Sequence, residues 1–380
     1  MHGKIREIIK MQRLIGSLQQ MMHVLNSNGY IRHYHVNITL VSFLYGDWKV
    51  QNPLPTESYL LTVEPITHNI IYAGGLGGTL IKTIDGGKSW DVQKLKDLVN
   101  IRDISFRDSL NGWLIDSEHI YYTNDGGKSW DEVNINADMN TYYYFSIKCF
   151  DDIVYLILKP QTAILTELIN AKRLVYKSTN NGKTWNQINV AIQGKILCNH
   201  FLDEKHGFVY TEETISINEV SNSLYQTKDG GTTWVKQRFP EYNWTQGLFF
   251  INEKIGFVGK YRTIDYGNTW VNIFEDYLQQ DENIDDIFFA DSLNGWAISY
   301  IKIFQTTNGG LSWQVVNQQS SYQLTDINFS KNGTGWIIGY AGNIFRKEAN
   351  SDNWEQLSEG PRNSLNNILV LSRNEWVKVD

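Results

Sequence analysis

The octapeptides TIDGGKSW (residues 83–90) and TNDGGKSW (123–130) repeat almost the same eight letters forty residues apart. Four further copies follow: STNNGKTW (178–185), TKDGGTTW (227–234), TIDYGNTW (263–270) and TTNGGLSW (306–313). KEANSDNW (347–354) keeps only the tryptophan, and SFLYGDW (42–48) reads as a copy one residue short. Tryptophans thus stand at 48, 90, 130, 185, 234, 270, 313 and 354, in steps of 42, 40, 55, 49, 36, 43 and 41 residues. A period near forty is that of one supersecondary unit repeated around or along an axis.

A second signal keeps the same beat upstream of the tryptophans. ISFRDSLNGWLI (104–115), IFFADSLNGWAI (287–298), INFSKNGTGWII (327–338) and LFFINEKIGFVG (248–259) each join an apolar-aromatic strand to a Gly-aromatic strand through a polar turn. Both arms alternate with period two and are rich in Ile, Phe and Trp, as strands are. Each unit therefore reads as strands a, b, c and d, with the octapeptide closing c onto d and strand d beginning at the tryptophan. Four antiparallel strands at this period make a propeller blade.

The octapeptide has a physical logic in that position. Asp85, Asp125, Asn180, Asp229, Asp265 and Asn308 can accept backbone N–H groups of their own turn, and the glycines that follow permit positive φ. Trp90, Trp130, Trp185, Trp234, Trp270 and Trp313 then fill the seam between blades, each burying on the order of 150–250 Å².

The pattern Ser/Thr-x-Asp-x-Gly-x-Ser/Thr-Trp resembles the Asp-box, or BNR repeat, of sialidases, some glycoside hydrolases, sortilin-type receptors and many bacterial propellers. The wider unit, DI-x-F…NGW…T-x-DGG-x-TW, resembles the photosystem II stability/assembly factor family. That resemblance spans most of the chain after residue 48 and implies a non-catalytic scaffold that binds a protein partner. It suggests a role in assembly or stability of an extracytoplasmic or membrane complex. The alternatives are a carbohydrate-binding propeller or a sialidase- or glycoside hydrolase-like enzyme. Against a sialidase, the Arg-Ile-Pro motif of that family does not occur.

Counting blades from the ends predicts eight. Seven tryptophan-ended units lie between about residues 55 and 360, and NNILVLS with NEWVKV (366–379) reads as strands a and b of another. Residues 37–50 would supply its c and d strands, so both termini would fasten the ring. Seven blades is the alternative. The all-β propeller is expected over residues 31–380, preceded at 1–30 by an amphipathic helix or leader in which Ile5, Ile8, Ile15, Leu18, Met22 and Leu25 fall near helical spacing.

Composition narrows the partners. Lys and Arg number 34 against 41 Asp and Glu, a formal net charge of −7, and no basic stripe stands out for a phosphate backbone, so nucleic acid is not expected. No apolar run approaches the roughly 20 residues of a membrane span, and no secretory signal is visible, although the resembled family is usually exported. Cys149 and Cys198 show neither disulfide-framework nor zinc-ribbon spacing. A monomer without cofactor or metal is expected. His33 and His35 would share a strand face but lack a third ligand. Asp285–Asp286 and Glu212–Glu213 are neighbours on opposite strand faces and make poor acid/base pairs.

Of thirteen tryptophans, Trp244 alone stands off the repeat. It lies in PEYNWTQG, a d-to-a connection, beside two units lengthened at 158–176 and 210–225 and near TYYYF (141–145). These place a candidate binding surface over blades three to five, built from Trp244, Tyr242, Tyr142, Tyr143 and Tyr144 with Lys172 and Arg173 at its rim. Aromatic and Arg side chains anchor protein interfaces, and aromatics also stack on sugars. Asp103, Asp286 and Asp326 each precede an Ile of strand a and are expected at the mouth of the central channel, where a cation or ligand would find them.

Overall fold

A computed structural model describes residues 55–95, 100–161, 174–188, 192–216, 219–240, 245–279, 282–317, 320, 322–358, 367–372 and 375–379. Within them seven four-stranded antiparallel sheets follow one another along the chain, each with its strands in sequence order. The blades are β1 to β4 (Leu60–Pro65, Ile71–Gly75, Thr79–Thr83, Asp91–Lys94), β5 to β8 (Asp103–Phe106, Gly112–Ile115, Ile120–Thr123, Asp131–Glu132) and β9 to β12 (Tyr142–Phe150, Ile153–Pro160, Leu174–Ser178, Asn186–Ile188). Next come β13 to β16 (Lys195–Phe201, Gly207–Ser216, Glu219–Thr227, Val235–Arg238) and β17 to β20 (Leu248–Phe250, Gly256–Val258, Tyr261–Thr263, Val271–Asn272). The last two are β21 to β24 (Asp286–Phe289, Gly295–Ser299, Lys302–Thr306, Gln314–Asn317) and β25 to β28 (Leu324–Phe329, Gly335–Gly339, Ile344–Lys347, Glu355–Ser358).

Burial follows strand position. Second strands such as Gly112–Ile115 and Gly335–Gly339 are buried at every residue, because blades cover them on both faces, whereas fourth strands such as Asp91–Lys94 are mostly exposed at the rim. This explains why GWLI and GWII read as unbroken apolar runs while the fourth strands do not. The fourth strands begin one residue after the tryptophan, not at it.

The expected eight blades are corrected to seven. Blade seven packs directly on blade one: Leu60, Val63, Ile71, Ala73 and Ile81 share one apolar cluster with Trp336, Ile338 and Ile344. Across the same seam Val63 N donates to Asp326 Oδ2 at 2.7 Å and Thr325 Oγ1 donates to the Leu60 carbonyl at 2.7 Å. That seam is filled, so an eighth blade has no gap to enter. The C-terminal stretch does form two strands, β29 (Asn367–Ser372) and β30 (Glu375–Val379), but among the described residues they pair only with each other, in a unit separate from the one that holds the ring (Lys49–Arg362). The expected strands at 37–50 and helix at 1–30 lie outside the described residues. No α-helix occurs among the described residues, and no helix there is long and apolar enough to cross a membrane.

The repeated turns work as seam fasteners. In all six the leading Thr or Ser hydroxyl accepts the N–H of the glycine four residues on, at 2.8–3.0 Å. The Asp or Asn Oδ1 accepts the N–H of the Ser or Thr four residues on, also at 2.8–3.0 Å. The closing glycine lies against the preceding blade: a Cβ on Gly182 would sit 2.1 Å from Trp113 Cη2, and one on Gly87 would sit 2.6 Å from Leu357 Cδ1. Trp185 meets Trp113 edge-on at 5.7 Å, and Trp90 meets Trp336 at 5.9 Å, so aromatic edges complete these contacts. Third-strand side chains reach across as well. Lys82 donates to the Gly126 carbonyl at 2.7 Å and Gln226 donates to the Tyr266 carbonyl at 2.7 Å.

Candidate functional site

In an antiparallel blade the d-to-a connections and b-to-c hairpins open on one face of the ring, and the repeated turns on the other. The first face is raised over blades three and four. Strands β9 and β10 run nine and eight residues, and β14 and β15 run ten and nine, whereas the first two strands of the five other blades have three to six. Residues 210–225, expected as an inserted connection, are therefore mostly strand. The hairpin is lengthened rather than interrupted, with Thr214 paired to Val220 near its tip. Ile215 and Val220 are exposed there.

The three tyrosines of TYYYF separate by strand alternation. Tyr144 is 3% exposed inside the core cluster of blades two and three, where burial pushes its phenol up to about 12, so it adds nothing to a surface. Tyr142 and Tyr143 are half-buried at the face. Arg102 places its guanidinium 5.1 Å from the Tyr143 ring centre while its Nε donates to Ser117 Oγ at 2.8 Å. This arginine, on the connection entering β5, was not singled out by the sequence, which gives no sign that residues forty positions apart meet. Two residues beyond Tyr143 on β9, the Phe145 ring centre lies 3.0 Å from Nζ of Lys159 on β10. Trp244, Tyr242, Lys172, Arg173, His33 and His35 lie outside the described residues.

Beside Tyr142 a groove of about 640 Å³ opens between blades two and three, lined by Glu118, His119, Glu132, Ala137, Asp138, Met139, Asn140 and Gln161. Its walls are held from within. Buried Asp116 accepts Glu118 N at 2.7 Å and His119 N at 2.6 Å, and Gln161 Nε2 donates to the Met139 and Tyr142 carbonyls at 2.8 and 3.0 Å.

At the channel mouth the three aspartates do something other than wait for a cation. Asp103 Oδ2 accepts Ile147 N and Ser146 Oγ, both at 2.9 Å, from the first strand of the next blade. Asp286 Oδ2 likewise accepts Ile327 N at 3.1 Å, and Asp326 Oδ2 accepts Val63 N. Glu64 and Ser105 repeat the device deeper in, accepting Phe106 N and Cys149 N at 3.1 Å each. The innermost strand of a blade is a sheet edge whose N–H groups lack a ladder partner, and the preceding blade's side chains satisfy them. Glu64, Lys148 and His200 were missed by sequence, though a polar residue at each inward position of strand a is the signal that would have found them.

These groups stand deep among the adjoining blades, and their titration reflects it. Burial raises Asp103 to about 7 and Asp286 to about 6. Burial, then the charge of Asp286, raises Asp326, so these two neighbouring carboxyls resist ionising together. The Glu64 charge raises Lys148 against the opposing effect of burial, and burial lowers His200 to about 3, so its ring is neutral. Among the described residues no three His, Cys, Asp or Glu side chains gather as a metal-holding group.

Fold and face together define a seven-bladed all-β propeller that presents an arginine–tyrosine cluster and a groove beside two lengthened hairpins. Residues 93–171 and 266–364 match the family model of the Photosynthesis system II assembly factor YCF48. Two solved structures are similar over most of their length. One, titled YCF48 bound to D1 peptide, is 17% identical with a TM-score of 0.60, over 80% of this chain and 96% of that one. YCF48 from Cyanidioschyzon merolae is 16% identical with a TM-score of 0.59, over 78% and 97%. The WD40 propeller domain of Doa1 is similar at 9% identity and a TM-score of 0.52, over 77% and 93%. No curated protein matches the chain by sequence. The chain is similar to the YCF48 assembly-factor family over residues 93–171 and 266–364, and the structural likenesses, at these identities, establish the β-propeller fold.

Proposed function

We propose that the protein is a non-catalytic scaffold, an Asp-box propeller that binds a protein partner on its hairpin face and serves assembly or stability of a complex. The observation that carries this reading is the Arg102–Tyr143 pair beside Tyr142. Arginine and tyrosine are the side chains that anchor protein interfaces, and here Tyr143 stands on β9 while Arg102, one residue before β5, is held by Ser117, so little ordering is lost on binding. The similar propeller titled with a D1 peptide supports a peptide segment as the thing bound. The family model skips residues 172–265, where β14 and β15 lie, which supports a partner peculiar to this chain. In this reading Trp244, Tyr242, Lys172 and Arg173 extend the same surface.

The test is affinity capture from native extract with wild type and with Arg102→Ala/Tyr143→Ala, both shown by thermal melting to be folded. A defined partner held by the wild type and lost by the variant is expected. Identical capture by both proteins, or no partner for either, refutes the reading.

A further inference from the structure

The groove between blades two and three has a composition that selects its occupant. Its apolar lining residues are Ala137 and Met139, which pack against the core cluster shared by the two blades. Glu118, Glu132 and Asp138 are exposed around it, and no lysine or arginine is among its lining residues. The walls are ordered before anything binds. Asp116 ties down the Glu118–His119 turn, and Asp138 accepts Thr141 Oγ1 at 2.7 Å and Asn140 N at 3.1 Å. A prebuilt wall avoids the ordering cost that weakens loop-borne sites.

From this geometry we infer that the groove docks an extended, basic segment of the partner protein, with apolar side chains on Ala137 and Met139 and Lys or Arg side chains against Glu118, Glu132 and Asp138. Alternation along an extended chain sends successive side chains to opposite sides, which suits an apolar floor below a charged rim. The complementary charges speed encounter and select against acidic segments. The inference deepens the proposed function and rests on it, since it names the chemistry of the bound segment.

Two labelled nonapeptides, one alternating Lys and Leu and one alternating Glu and Leu, are titrated with the full chain by fluorescence anisotropy. The Lys peptide is expected to bind and the Glu peptide not. Exposed charge pairs contribute little each, so Glu118→Gln/Glu132→Gln weakens binding about 2- to 30-fold. Raising salt from about 0.05 to 0.5 M weakens it further. Glu204→Gln, on an exposed a-to-b turn of the opposite face, leaves it unchanged. Equal binding of both peptides, or equal affinity in the double variant and Glu204→Gln, overturns the inference. So does a wild-type dimer in sedimentation that the double variant dissociates, because a second copy would then be the occupant. A partner captured through Arg102 and Tyr143 alongside an unchanged peptide profile overturns the groove alone; absence of any such partner overturns the function reading.

Discussion

Two glycines with the same backbone conformation separate the two reasons for keeping glycine. Gly182 has φ +73°, and a Cβ there would lie 2.1 Å from Trp113 Cη2 and 2.4 Å from Cζ2. Gly77 has φ +63°, and a Cβ there would meet nothing within 4 Å. Alanine at Gly77 therefore costs only the left-handed backbone, about 1 kcal/mol. Alanine at Gly182 adds displacement of a buried indole, about 1–3 kcal/mol of overpacking, for about 2–4 kcal/mol in all. At about 2.1 cal/mol/K per residue, a ring of roughly 300 residues loses about 1.5 °C of Tm per kcal/mol. Calorimetry should then give about 1.5 °C for Gly77→Ala and about 3–6 °C for Gly182→Ala. Equal losses would refute the claim that the closing glycine is kept for contact with the preceding blade.

The channel and the turns respond to pH in opposite directions. Burial raises Asp103 from 3.8 to about 7, so the stability tied to its protonated form is complete below the ordinary carboxylate range and is lost as pH rises toward 7. Asp103→Asn keeps an acceptor for Ile147 N and should remove part of that decline in melts between pH 4 and 8; an unchanged decline counts against the account. Asp85 lies the other way, lowered to about 2 chiefly by the Ser89 hydroxyl, so its contribution is present above the ordinary range and lost as pH falls toward 2. Asp85→Asn should melt close to wild type at pH 7, because Asn180 and Asn308 close equivalent turns with the amide donating to Thr184 and Ser312 hydroxyls at 2.8 Å. It should also lose less on acidification, and a large loss at pH 7 would show that the charge itself holds the turn.

How much could be read in the letters depended on the range of the interaction involved. Strands, turns and repeat were legible because period-two alternation and the Thr–Asp–Gly chemistry act within a few residues of one another. The three tyrosines of TYYYF were grouped in one expected surface, yet their fates differ. Tyr144 enters a core formed with blade two while Tyr143 meets Arg102, and both neighbours arrive from elsewhere in the chain. Asp103, Asp286 and Asp326 were expected to wait for a cation or ligand, but their carboxylates accept backbone N–H groups of adjoining blades.

The sequence by itself determined the blade as a unit, because each blade closes through hydrogen bonds between residues four apart and ladders between consecutive strands. The number of blades was decided only by the tertiary structure. NILVLS and EWVKV are strand-like by every local measure and do pair with each other. Whether such strands enter the ring depends on whether Trp336, Ile338 and Asp326 are already satisfied by Leu60, Ile71 and the Val63 amide. They are, since seven blades bring the two ends of the ring into contact across some 260 residues of chain, a match that no local pattern records.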